Sequence, residues 1–285
     1  MEILTIVLAS LLSLGSSGGI VLDKIAEAKI RDRIISVEQQ AVRIDNQPNY
    51  RIAQGKIGRV RLAHRGILIE PGIRIAALDL ETDPLAVKLS QLKLDSIASL
   101  RSSLVTPATG AASIKLEEED LNRALSSTQV RQQLEFNLNR LIVRKAGSSN
   151  IAYELSNVRL DIQPNNRLRV SFRLARSRAT GLKPLERSDR GTSQVQNRSR
   201  ELAFNLELTL KIVEGKAVRI LNPRGTVNGS PMSSRLLDGF ATGISDRLNL
   251  ASLAGDGIIA RILQLETSED AMQLVGFVRL ETEMP

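Results

Sequence analysis

The alternation of apolar and polar side chains is most regular in the second half of the chain. From Arg167 to Arg176, Leu168, Val170, Phe172 and Leu174 alternate with Arg167, Arg169, Ser171 and Arg173. From Glu201 to Val213, Leu202, Phe204, Leu206, Leu208, Leu210 and Ile212 alternate with Glu201, Ala203, Asn205, Glu207, Thr209 and Lys211. A period of two puts the apolar set on one face of an antiparallel sheet and the charged set on the other. Both runs are long for strands, so the sheet is expected to be tall and curved. Ile258 to Glu266 and Met272 to Glu281 predict two closing strands.

Periods are mixed in the first half. Val21, Ile25, Ala28, Ile30, Ile34 and Val37 recur among charged residues, which predicts an amphipathic helix from Ile20 to Val37. Ala41 to Asp45 starts the sheet, and Asn46 to Asn49 is a turn. Lys56 to Glu81 reads as a hairpin with Val60 and Leu62 on one face and Arg59, Arg61 and Arg65 on the other. Gly66 marks an expected bulge, Glu70-Pro71-Gly72 the turn, and Pro84 the end of the return strand. The stretch from there to about Thr109 is polar and irregular.

Glu117 to Leu125 predicts a short helix, its acidic first turn matched to the helix dipole. Thr128 to Leu141 predicts a second helix, with Val130, Leu134, Leu138 and Leu141 on one side. Ser177 to Arg200 shows no apolar period and reads as a loop. Ser230-Pro231 reads as a helix start, leading into a stripe of Met232, Leu236, Phe240, Ile244 and Leu248. The order gives an α+β fold, a long, curved antiparallel sheet wrapping amphipathic helices. It forms one domain over residues 20–285, behind a hydrophobic segment at 1–19.

That segment, Ile3 to Leu14, is followed by a Gly/Ser patch and Ile20-Val21-Leu22. The uninterrupted run is shorter than the roughly 20 residues that span a bilayer. Glu2 stands where a signal peptide carries basic residues, and Lys24, Lys29, Arg31 and Arg33 follow the apolar run. The segment reads as a membrane anchor or interfacial helix, with a cleaved signal and a packed core helix as the alternatives.

Composition narrows the chemistry. The 285 residues carry a net charge of +8, no Cys, no Trp and a single His. The charge favours anionic partners. Without Cys there is no thiolate nucleophile, thiolate metal site or lipoprotein anchor. One histidine leaves little room for imidazole catalysis or a multi-His metal site. No dinucleotide fingerprint, P-loop, zincin or nucleophile-elbow motif is present. Asp79, Glu81 and Asp83 read as a solvated hairpin end, Glu117 to Asp120 as a helix N-terminus, and His64, beside Arg65, as a surface or rim residue. The expectation is a protein that is not an enzyme and needs no cofactor or metal.

Two features remain. The apolar faces of the long strands, Leu168, Val170, Phe172, Leu174, Leu202, Phe204, Leu206, Leu208 and Leu210, together with Phe240 and Ile244, form either a core or an elongated groove suited to an acyl chain. The basic positions Arg167, Arg169 and Arg173, with Lys183, Arg187 and Arg190 in the loop, are either a solvated face or a contact for anionic headgroups. Nucleic acid fits less well, because stacking platforms need aromatic residues and only 2% of the chain is aromatic.

Arg43 to Val87, RIDNQPNYRIAQGKIGRVRLAHRGILIEPGIRIAALDLETDPLAV, and Leu116 to Leu125, LEEEDLNRAL, resemble the LmeA-like family of phospholipid-binding proteins, specifically its cyanobacterial branch. The similarity runs from about Ile20 to the C-terminus. It implies a cell-envelope or membrane-associated protein, at a plasma or thylakoid membrane, that binds phospholipid or glycolipid. It also implies a fold similar to tubular lipid-binding domains, in which a curved sheet wraps a long helix. In actinobacterial relatives the family is tied to building envelope glycolipids, and it brings no defined catalytic residues. The combined expectation is a lipid-binding or lipid-transfer protein, with a membrane-anchored scaffold of packed core as the alternative.

Overall fold

The computed structural model describes residues 35–45, 48–70, 72–91, 97–146, 151–178 and 201–283. Along the chain these form β1 (Ser36–Asp45), β2 (Lys56–Ile57), β3 (Arg59–Glu70), β4 (Ile73–Thr82), β5 (Leu85–Ala86), α1 (Ile97–Ser103) and β6 (Ala108–Glu117). Then come α2 (Glu118–Ser126), α3 (Thr128–Ala146), β7 (Ile151–Gln163), β8 (Arg167–Arg178), β9 (Leu202–Val213) and β10 (Ala217–Val227). The last elements are β11 (Ser230–Pro231), α4 (Ser234–Arg247), β12 (Ile258–Thr267) and β13 (Ala271–Leu280).

The architecture is α+β and antiparallel, but the strands divide into two main sheets where one was expected. The first has six strands in the order β1-β3-β4-β6-β13-β12, and the second has five in the order β11-β10-β9-β8-β7. Each has its own core. Val60, Leu62, Leu78 and Leu80 anchor the first, covered by Leu100 and Leu104 around α1. Phe204, Leu206, Leu208 and Leu210 of β9 anchor the second.

The β12–β13 hairpin joins the two. By hydrogen bonding it belongs to the first sheet, yet Ile262 and Leu265 are buried in the second core. The Ile262 N–H donates to the Gly215 carbonyl at 2.7 Å, in the β9–β10 turn. Gly215 has φ +64, a conformation that favours glycine, and a Cβ there would make a tight 3.3 Å contact with the Ile262 carbonyl oxygen. At the far end of β12, Thr267 donates its hydroxyl to the Gln163 carbonyl at 2.6 Å and accepts the Asn166 N–H at 2.7 Å. Next to it the Glu118 N–H donates to the Asp270 carbonyl at 2.7 Å.

Several sequence expectations need correction. The stretch before Thr109 contains α1, and the unassigned segment after it is β6, a central strand of the first sheet. Val37 lies in β1, so helical structure does not extend that far; residues 1–34, with the anchor and most of the amphipathic segment, lie outside the described residues. Ser230-Pro231 forms the short β11 rather than a helix start, and α4 begins after Ser233. Gly66 does take φ +61, with the Glu38 carboxyl group over its α-carbon, but the register shift falls between Leu68 and Glu70.

His64 is not at the surface. It is 1% exposed, on the same strand face as Val60 and Leu62, and neither ring nitrogen has a hydrogen-bond partner. Burial, reinforced by the Arg65 guanidinium, pushes its pKa down to about 4, so it is neutral at ordinary pH. Among the described residues no helix is long and apolar enough to cross a membrane, and no His/Asp/Glu grouping could hold a metal.

Candidate functional site

The five-stranded sheet is flanked by helices along both of its long edges. α4 packs on β10 through Leu237 and Ala241, and α3 lies along β7 and brings Leu134 and Leu138 to the second core. Between them lie β9 and β8. β9 is closed over, with Phe204, Leu206, Leu208 and Leu210 all buried. β8 is different. It has a strand on each side, and Leu174 is buried, yet Leu168, Val170 and Phe172 are only partly covered. Leu202 of β9 and Val158 and Leu160 of β7 are partly covered too. The result, here called the trough, is a strip of partly exposed apolar side chains along β8 and the end of β9. It lies between α3 on β7 and α4 on β10, with residues of the β12–β13 hairpin packed in the same core. Phe172 and Phe204, cross-strand partners, stack on the floor with centroids 4.8 Å apart and planes 7° from parallel.

The α3 wall is attached in an unusual way. β7 is the sheet's edge strand, and an open edge leaves backbone donors and acceptors exposed. Side chains of α2 and α3 occupy that edge. Asn122 bonds both the N–H and the carbonyl of Leu160, at 2.8 and 2.7 Å. Asn139 does the same for Tyr153, at 2.8 and 2.9 Å. Glu118 accepts the Ile162 N–H at 2.8 Å, and Glu135 accepts the Leu155 N–H at 2.9 Å. Each helix supplies an i, i+4 carboxylate–amide pair, spaced to sit on one face.

The acidic start of α2 thus has distinct duties beyond complementing a dipole. Asp120 is 3% exposed and bonds Arg74 of β4 at 2.5 Å and Arg123 at 3.0 Å. Arg74 also reaches Glu38 of β1 at 2.9 Å. Glu119 pairs with Arg123 at 2.6 Å and Glu117 with Lys115 at 3.3 Å. The hairpin carboxylates are likewise paired, Asp79 with Arg65 at 2.8 Å and Glu81 with Arg59 at 3.0 Å, while Asp83 accepts from the Thr109 hydroxyl.

Of the residues expected to face an acyl chain, Leu174, Phe204, Leu206, Leu208 and Leu210 are core, while Leu168, Val170, Phe172, Leu202 and Phe240 are partly exposed and pack against that core along the trough. Ile244 is 38% exposed on α4. The expected helix stripe is turned partly outward: Leu237 and Ala241 face the sheet, and Leu236, Ile244 and Leu248 do not.

The basic strand positions are occupied. Arg169 pairs with Glu207 at 3.0 Å and Asp161 at 3.4 Å, Arg173 with Glu201 at 3.6 Å, and Arg167 donates to the Pro164 carbonyl at 3.3 Å. Lys183, Arg187 and Arg190 lie outside the described residues.

No curated protein and no solved structure matches the chain. A family model does, over residues 16–277, which takes in both sheets, the helices between them and the trough. The chain therefore belongs to the LmeA-like phospholipid-binding family.

Proposed function

We propose that this protein works at a membrane as a non-catalytic carrier or presenter of phospholipid or glycolipid, holding acyl chains in the trough between α3 and α4. One observation carries the reading. Leu168, Val170 and Phe172 of the interior strand β8 each keep part of their apolar surface exposed, while the neighbouring β9 buries Phe204, Leu206, Leu208 and Leu210. A row of branched and aromatic side chains along an extended strand suits a long, featureless ligand better than a compact one. The +8 net charge favours an anionic headgroup, which would remain at the trough's rim in water. The apolar segment at residues 3–14 would add a second attachment to the membrane.

Native mass spectrometry of the full chain, with extraction and identification of co-purifying lipid, tests this. A stoichiometric phospholipid or glycolipid adduct is the expected result. A chain that is lipid-free and stays so after incubation with vesicles would leave a packed membrane scaffold as the better account.

A further inference from the structure

Helix α4 leaves part of its apolar side uncovered. With about 3.6 residues per turn, Leu237 and Ala241 mark the side buried on β10. Ser245 follows on that side, and its hydroxyl accepts the Ile220 N–H at 3.0 Å. Asp238, Thr242 and Asp246 line one flank, beside Arg219 and Asn222 at the free side of β10. The other flank carries Leu236, Phe240 and Ile244, and so looks over β9 and β8 toward the trough. Leu236 is 48% exposed, Ile244 38%, and Leu248 just past the helix end 40%. This stripe forms the trough's rim.

Charge tells what the rim meets. Arg59, Arg61 and Arg65 of β3 and Arg169 and Arg173 of β8 pair with carboxylates of neighbouring strands. Arg235 and Arg247 of α4, and Arg219 and Arg224 of β10, have no carboxylate partner among the described residues. By helical spacing Arg247 falls between Leu236 and Phe240, while Arg235 lies on the flank of Asp238 and Asp246. An exposed apolar stripe that carries an unpaired guanidinium suits the headgroup layer of an anionic bilayer.

The geometry points to α4 as the element that docks on an anionic membrane. Leu236, Phe240 and Ile244 seat at the headgroup–acyl boundary, Arg247 meets a lipid phosphate, and the trough opens onto the bilayer. The lipid then passes between membrane and trough without crossing water. The inference rests on the lipid-binding reading above, and its test separates the two.

The chain has no tryptophan, so a single introduced one reports without background. Leu236→Trp and Ile244→Trp, at exposed positions that a larger ring does not crowd, are compared with Phe136→Trp on α3, where Phe136 is 62% exposed. Each full-length variant is mixed with phosphatidylglycerol or phosphatidylcholine vesicles, with and without brominated acyl chains. Both α4 probes are expected to shift to shorter wavelength and be quenched on phosphatidylglycerol, more than on phosphatidylcholine, while the α3 probe stays in water. Arg247→Gln in the Ile244→Trp background should weaken partitioning about fivefold.

The inference falls if the chain binds vesicles while both α4 probes stay solvent-exposed, or if the α3 probe responds equally. A shift without vesicles that grows with protein concentration would assign the stripe to a second copy. A concentration-independent shift in buffer would assign it to another segment of this chain. Either result overturns membrane docking. Uptake of a lysophospholipid below its micelle concentration needs no bilayer. If it persists after docking fails, the lipid-binding reading stands alone.

Discussion

The side chain of Asn122 takes the place of a missing strand beside Leu160: its amide donates to the Leu160 carbonyl at 2.7 Å and its carbonyl accepts the Leu160 N–H at 2.8 Å. A backbone neighbour would make the same two bonds, but here they come from a helix. Asn122→Leu should remove both and leave the Leu160 groups without partners, at a cost of about 1–3 kcal/mol. Asn122→Asp keeps the acceptor, loses the donor, and should fall between. Urea denaturation read by circular dichroism decides the matter. A Leu variant with an unchanged midpoint would mean that water serves this edge as well as the helix does.

Arg74 holds α2 to the first sheet through Asp120, which is 3% exposed. Removing one partner of a buried ion pair costs more than the pair contributes, because the other charge stays desolvated. Arg74→Met leaves the buried Asp120 with only the more exposed Arg123 and should therefore destabilise by about 2 kcal/mol, below the full cost of an unpaired buried charge. Arg123→Met, at a position 52% exposed, should cost much less, since Asp120 keeps its bond to Arg74. If the two variants unfold at the same denaturant concentration, Arg74 is not the clasp described.

His64 gives the stability a pH dependence of known sign. Its pKa lies near 4 in the folded protein against 6.5 for the free side chain. Between those values the unfolded chain binds a proton that the folded chain refuses, so stability rises with pH through that window and is flat, for this group, above it. The full difference is on the order of 3 kcal/mol. His64→Leu removes the titrating ring and its two unpartnered nitrogens while keeping an apolar side chain among Leu62 and Leu78. In thermal melts from pH 4 to 7 the two curves should separate as the pH falls below about 6.5, with wild type falling faster. Parallel curves would show that the ring is protonated in the fold or does not titrate there.

The outward parts of this molecule were legible in the sequence, and the joints were not. β8 and β9 stand out because each alternates between leucine-like and charged side chains, two chemically opposite faces. β6 is hidden because its first half, Ala108 to Ser113, is built from Ala, Thr, Gly and Ser, small residues with no strong face. β7 is hidden by its register shift between Ser156 and Arg159, where Asn157 takes φ 52. Leu155 and Ile162 are both buried although an odd number of positions separates them, so no simple alternation survives. In α4 two rows share the same spacing, Leu236-Phe240-Ile244 and Leu237-Ala241. Periodicity alone could not say which faces the sheet. The burial of His64, by contrast, follows from its parity with Val60 and Leu62. The edge-binding roles of Glu118, Asn122, Glu135 and Asn139 depend on a strand far away in sequence, and their local spacing marks only a common helix face.

The trough makes a prediction that turns on a single step along β8. Val170 points to the partly exposed apolar side, and Ser171 points to the other face, opposite Asn205. A carboxylate at position 170 would have to lose its hydration shell against an acyl chain, at a cost of several kcal/mol for an unpaired charge. With no lipid bound, the same carboxylate can reach water, because Val170 is partly exposed. Val170→Glu is therefore expected to fold, to lower the denaturation midpoint modestly, and to abolish lipid uptake. Ser171→Glu adds the same charge to the same strand and should leave uptake intact. Native mass spectra of the two variants, loaded in parallel with phosphatidylglycerol, give the comparison. Loss of lipid in both would trace the effect to net charge, and retention in both would place the acyl chain somewhere other than β8.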